Sequence, residues 1–107
     1  MPKYLFEVTY TAEGMHGVHK DTASGRKAAV QKMMKELGGK VESLYFCFGD
    51  NDAIVIVDLP DNVTAAAAAM AVASSGLMHG RTTPLLTVEE VDKATKVKFK
   101  YRAPGAK

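Results

Sequence analysis

His79 and Arg81 lie two positions apart, so in an extended segment they present an imidazole and a guanidinium on the same side. That pair can orient and neutralise a small anion. A plainer use of Arg81, an ion pair with a structural carboxylate such as Asp52 or Asp58, outranks it. Tyr45 and Asp52 are the other polar groups able to join such a site, while Tyr4, Tyr10 and Tyr45 either turn hydroxyls into a cavity or fill space between layers. His16 and His19, three apart, share one face of a helix as metal ligands do. Neither a third ligand at characteristic spacing nor a His-Glu-x-x-His pattern accompanies them, so no metal is assigned. Asp50-Asn51-Asp52 begins like a calcium loop, and Ile54 with the missing later Gly and Glu breaks it. Gly38-Gly39-Lys40 lacks the spacing and the following Ser or Thr of a phosphate loop. Cys47 has no neighbour that would lower its pKa and reads as a small buried hydrophobe. No cofactor is called for.

These groups need a scaffold, and its size is bounded. The 107 residues, 47% apolar and 24% charged, suffice for one domain with an ordinary core. A single Cys excludes an internal disulfide framework, so a reducing, cytoplasmic compartment is the expectation. The N-terminus has no signal-peptide pattern, and the Ala-rich run from Val63 to Leu77 is too short and mild to span a bilayer. The net charge of +2 conceals an asymmetry. After Asp92 come six basic residues and no acid, while eight basic residues against twelve acids leave the body at −4. A domain over residues 1–96 therefore carries a basic tail over 97–107, which holds four of the six. The tail reads first as a solvated segment, then as a surface for an acidic partner; nucleic acid is a minor reading.

Residues 3–10 alternate, with Tyr4, Phe6, Val8 and Tyr10 on one side and Leu5, Glu7 and Thr9 on the other, as a strand does. Thr11 to Gly25 reads as a connection holding a helical turn or two over Glu13 to Lys20, weakened by Gly14 and Gly17. From a Ser24 cap, Ala28, Ala29, Val30, Met33, Met34 and Leu37 recur at helical spacing until Gly38-Gly39 stops them. Val41 to Phe48 and Ala53 to Leu59 read as strands joined by the turn residues Gly49 to Asp52. Pro60-Asp61-Asn62 opens a second helix reaching about Ser75. Arg81 to Leu86 is a fourth strand that Pro84 assigns to an edge or bulge, and Thr87 caps a third helix from Val88 to about Lys96.

The order is β-α-β-β-α-β with an appended helix, an α+β fold of the split βαβ or ferredoxin-like kind. Right-handed crossovers put both crossover helices on one sheet face. The other face should then be polar in a monomer, yet Leu5 opposes Tyr4, Phe6, Val8 and Tyr10 in the first strand, Val41, Tyr45 and Cys47 oppose Leu44, Phe46 and Phe48 in the second, and Ile54 and Ile56 oppose Ala53, Val55 and Val57 in the third. A strand apolar on both sides wants two covers. The economical second cover is another copy packed sheet to sheet, as a homodimer or within a larger homo-oligomer.

Tyr10-Thr11 with Glu13-Gly14, Arg26, Leu37-Gly38-Gly39-Lys40, Phe48-Gly49-Asp50-Asn51-Asp52, Asp58-Leu59-Pro60-Asp61 and Arg81-Thr82-Thr83 together resemble the GYD domain family of the dimeric α/β-barrel superfamily. The resemblance runs from Tyr4 to Asp92 and implies the sheet-to-sheet barrel. The family's naming motif resembles Gly-x-Tyr-Asp; Gly49 and Asp52 match it, and Asn51 stands where Tyr is usual. Two functional classes follow. One is a non-catalytic assembly or regulatory module, which the lack of a compact acid-base constellation favours. The other is a site for a small anionic or aromatic molecule, in an apolar pocket between the sheet and its helices or at the dimer seam, with Tyr45, Asp52, His79 and Arg81 as its polar contacts. By superfamily analogy that site extends to a cofactor-independent monooxygenase or isomerase, with a His or carboxylate as base.

Overall fold

A computed structural model describes residues 1–106. Its elements are β1 (Lys3–Tyr10), α1 (Ala12–Glu36), β2 (Lys40–Phe46), β3 (Ala53–Asp58), α2 (Asn62–Ser74), β4 (Met78–Leu85) and α3 (Val88–Thr95). The four strands form one antiparallel sheet in the order β2-β3-β1-β4, the ferredoxin-like arrangement the alternation implies. Tyr4, Phe6, Val55 and Val57 project from the central strands against Met34 of α1 and Ala65 and Ala68 of α2, so both helices cover one face. Val57 and Leu59 are fully buried at the centre of this core.

Several boundaries differ from the sequence reading. The segment expected to be a connection is helical from Ala12 onward, because Thr11 caps it by accepting the Gly14 N–H. Gly14 is helical despite its low propensity because its missing side chain lets α1 lie against the Leu77 backbone. The helix kinks at Thr22, whose φ of 68° and ψ of 167° lie in a region left almost wholly to glycine. Thr22, not Ser24, accepts the Gly25 N–H at the start of the second segment. That segment ends in a Schellman motif, the Gly39 N–H reaching the Met34 carbonyl and the Gly38 N–H that of Lys35.

β2 stops at Phe46, two residues early, and β4 begins at Met78, three residues early. A bulge between Val41 and Ser43 turns Val41 to the helix side, where it packs on the core, rather than beside Tyr45. Cys47 lies exposed just past β2 and not in the core; its thiol donates to the Asn51 carbonyl at 3.2 Å.

Carboxylates and hydroxyls fix the ends of the later helices. Asp61 caps α2 by accepting from the backbone and hydroxyl of Thr64, which hold its carboxyl below the usual range, the backbone bond contributing most. Thr87 and Glu90 form a reciprocal capping box on α3, and the Thr87 N–H likewise lowers the Glu90 pKa. α3 nonetheless buries no residue. The chain's long axis reaches 60 Å and its radius of gyration is 17.3 Å. About 13 Å would suit a compact chain of this size, so the C-terminal part projects from the body.

A Cβ at Gly14 would stand 1.8 Å from the Leu77 carbonyl oxygen, whereas one at Gly17 would meet nothing within 4 Å. Chemical denaturation of Gly14→Ala should therefore show a loss of about 3 kcal/mol. Gly17→Ala should instead gain roughly 0.5–1 kcal/mol.

Candidate functional site

The open sheet face carries one polar concavity. Antiparallel pairing of β4 with β1 sets His79 opposite Thr9 and Arg81 opposite Glu7. With Asp50 and Asn51 these residues rim a solvent-open depression of about 360 Å³. The Asn51 amide donates to Glu7 Oε2 at 3.0 Å, so the residue at the family's Tyr position holds the acid that faces Arg81 across the strands.

The four residues expected to make one site are divided. His79 and Arg81 come together. Tyr45 belongs to β2 at the opposite edge of the sheet, beside Ile54, which separates it from β4 by three strand spacings, roughly 14 Å. Asp52 faces the turn. Its carboxylate accepts the Tyr10 N–H at 2.8 Å, its carbonyl accepts the Cys47 N–H and its own N–H donates to Val8, which pins the β2–β3 hairpin onto β1. Nor does Arg81 pair with Asp58, which is buried and held by Lys3. The Lys3 ammonium donates to Glu42 at 2.6 Å and to Asp58 at 2.9 Å, and these bonds, Glu42's the larger, raise its pKa above the usual lysine range. His16 and His19 are exposed on α1, and among the described residues no three His, Cys, Asp or Glu side chains cluster as metal ligands would.

A second concavity lies between the sheet and its helices, one of the two places expected for a ligand, but none of Tyr45, Asp52, His79 and Arg81 lines it. Its volume is about 140 Å³, with walls that include Phe6, Val30, Met33, Val55 and Ala68. An apolar cavity of about this size can hold a single aromatic ring. It exists because side chains are short where the layers meet: α2 offers Ala68, Ala69 and Ala73 over Gly80 of β4. Arg26 is the one charged residue in its wall. Its side chain is 25% exposed, and the nearest carboxylate, the half-exposed Asp21, stands 3.8 Å away. At that separation the pair is loose, and the guanidinium keeps donors for another anion. The signal was present in the sequence: Arg26 lies four residues before Val30 on the apolar stripe of α1, where a core position would carry no charge.

A family model for the GYD domain matches residues 4–95. The chain belongs to the GYD domain family. No curated protein matches it. The GYD match spans every element from β1 to α3 and stops where the basic tail begins. Within this GYD domain the hairpin Gly49 to Asp52 has a structural task that Asp52 performs. Replacing Asp52 by Ala strands a partly buried Tyr10 N–H and should lower stability by about 2 kcal/mol in urea titrations.

Proposed function

We propose that this GYD domain is a non-catalytic homo-oligomeric module whose copies pair through the open sheet face. One observation carries the reading: the register places Leu5 beside Ile56 and Ile54 beside Tyr45 on the face that no helix covers. These residues join into one apolar stripe across β1, β3 and β2, with Tyr45 67% exposed at its edge. An uncovered apolar stripe flanked by the Lys3–Glu42 and Glu7–Asn51 polar pairs has the core and rim of an interface. A two-fold axis through such a face buries it against itself. Lys at position 56 would put a charge at the centre of that interface. Sedimentation equilibrium of Ile56→Lys should give 11.5 kDa with unchanged circular dichroism, against twice that mass for the parent. A parent mass of 11.5 kDa would overturn the reading.

The apolar pocket favours a second reading, in which each copy also holds a small amphipathic carboxylate. Its ring or short chain would fill the cavity and its carboxylate would meet Arg26 in a charge-assisted pair. Base-dependent chemistry finds no support here, since no His, Asp, Glu or Cys lines the pocket. Benzoate and octanoate serve as probes. Each should raise the melting temperature of the parent chain, and Arg26→Ala should weaken either by at least tenfold in calorimetric titration. Equal affinity for the variant would contradict the assignment.

A further inference from the structure

The C-terminal segment alternates in a way that neither the core nor the open face uses. Val97, Phe99 and Tyr101 alternate with Lys98, Lys100 and Arg102, a strict period of two over six residues. That is the pattern of a strand with one apolar and one basic side. Yet residues 97–103 pair with no strand, and Val97, Phe99 and Tyr101 are 62–76% exposed. Leu86, Val88 and Val91, just before them, are exposed as well. Three large apolar residues held in water at strand spacing describe a strand that lacks its sheet.

We propose that residues 97–102 add as an outer strand to β2 of a second copy of this chain. The inference rests on the sheet-to-sheet pairing above, which brings a second copy within reach of the arm. Area argues for it. Four strands about 4.8 Å apart and some 20–25 Å long offer a projected face of roughly 450 Å². Even with side-chain relief, that falls short of the approximately 800 Å² per partner of a standard stable interface. An exchanged arm from each copy supplies the missing contact.

The sheet has two edges, each with a row of unpaired backbone groups, and charge distinguishes them. β4 carries His79 and Arg81, and Pro84 interrupts its row of donors, so a basic arm gains little there. β2, with Lys40 and Glu42, is neutral where β4 is positive, and it leads into Asp50 of the hairpin. At the end of β2 Phe46 is 39% exposed, and just past it Phe48 is 98% exposed, an aromatic lip able to meet Phe99 and Tyr101. β2 spans seven residues, close to the six of the arm. The chain's own β2 lies at the far edge of the sheet from β4, the last strand before α3 and the arm. The charges complement each other too: residues 97–102 carry Lys98, Lys100 and Arg102 and no acid, while residues 1–96 hold ten basic and twelve acidic residues.

Cys47, the sole cysteine, sits exposed one residue past β2 and makes the test direct. The parent chain is mixed with a longer-tagged Cys47→Ser/Tyr101→Cys or Cys47→Ser/Val97→Cys variant, the two positions covering either strand direction. A short bismaleimide should join the two proteins through Cys47 and the arm cysteine as a heterodimer resolved by mass, and removing residues 97–107 should raise the dimer dissociation constant at least tenfold. A dimeric mass with no heterodimer crosslink, or a truncated chain that dimerises as tightly as the parent, overturns the arm exchange and leaves the sheet pairing standing. A monomeric parent overturns both. Exclusive crosslinking within one chain, in a variant keeping Cys47 beside Tyr101→Cys, assigns the arm to its own body and also overturns the proposal. So does arm-dependent binding of oligouridine with dimer affinity unchanged by the truncation.

Discussion

One sheet with helices on a single face cannot bury two apolar sides of the same strands, and the rest of this molecule follows from that constraint. β1 and β3 are the central strands. Their helix side holds Tyr4, Phe6, Val55 and Val57, the cores of strands and helices together. Their other side holds Leu5, Ile54 and Ile56 with nothing above them in the single chain. Fully burying an exposed hydrophobic side chain contributes about 1.5–3 kcal/mol, and since Leu5, Ile54 and Ile56 are already half-buried, covering what remains of each contributes a fraction of that. The proposed association rests on this stripe.

Several polar groups around that stripe are held by partners of their own. Lys3 is engaged by Glu42 and Asp58, Glu7 by Asn51, and Asp52 by backbone at the hairpin. The raised pKa of Lys3 means that its ion pairs contribute stability fully below the usual lysine range and lose it as pH rises through the folded value. The lowered values of Asp61 and Glu90 act in the opposite sense: their caps contribute above the usual carboxylate range and are lost on acidification. Between these limits the fold keeps its ends and its rim charged. Inside, the alanines of α2 leave a pocket that Arg26 alone marks with charge.

Much of this architecture was legible because alternation and helical spacing are strong signals. Ile54 and Ile56 opposite Val55 and Val57, the Gly38-Gly39 stop and the Thr87 cap all follow from period and residue chemistry. Failures occurred where tertiary contact overrode local preference. Gly14 should have weakened a helix, and its close approach to Leu77 made it a requirement instead. The bulge after Val41 changed which side that residue faces, an insertion no period can reveal. Sequence spacing joined His79 to Arg81 correctly but could not place Tyr45, since the strand order that puts β2 and β4 at opposite edges is a property of the whole chain. The pocket's lining was missed for a related reason: a cavity between sheet and helices could be expected, but only the pairing of α2 with Gly80 shows which residues wall it.

The chain has only two isoleucines, Ile54 and Ile56, and both lie on the open face. Selective labelling of their δ1 methyls therefore gives two NMR signals that report on that face alone. With a soluble paramagnetic agent present, both signals should stay sharp at high protein concentration and broaden together on dilution, as paired faces separate. Full broadening of both at every concentration would show that water, not a second copy, covers the sheet.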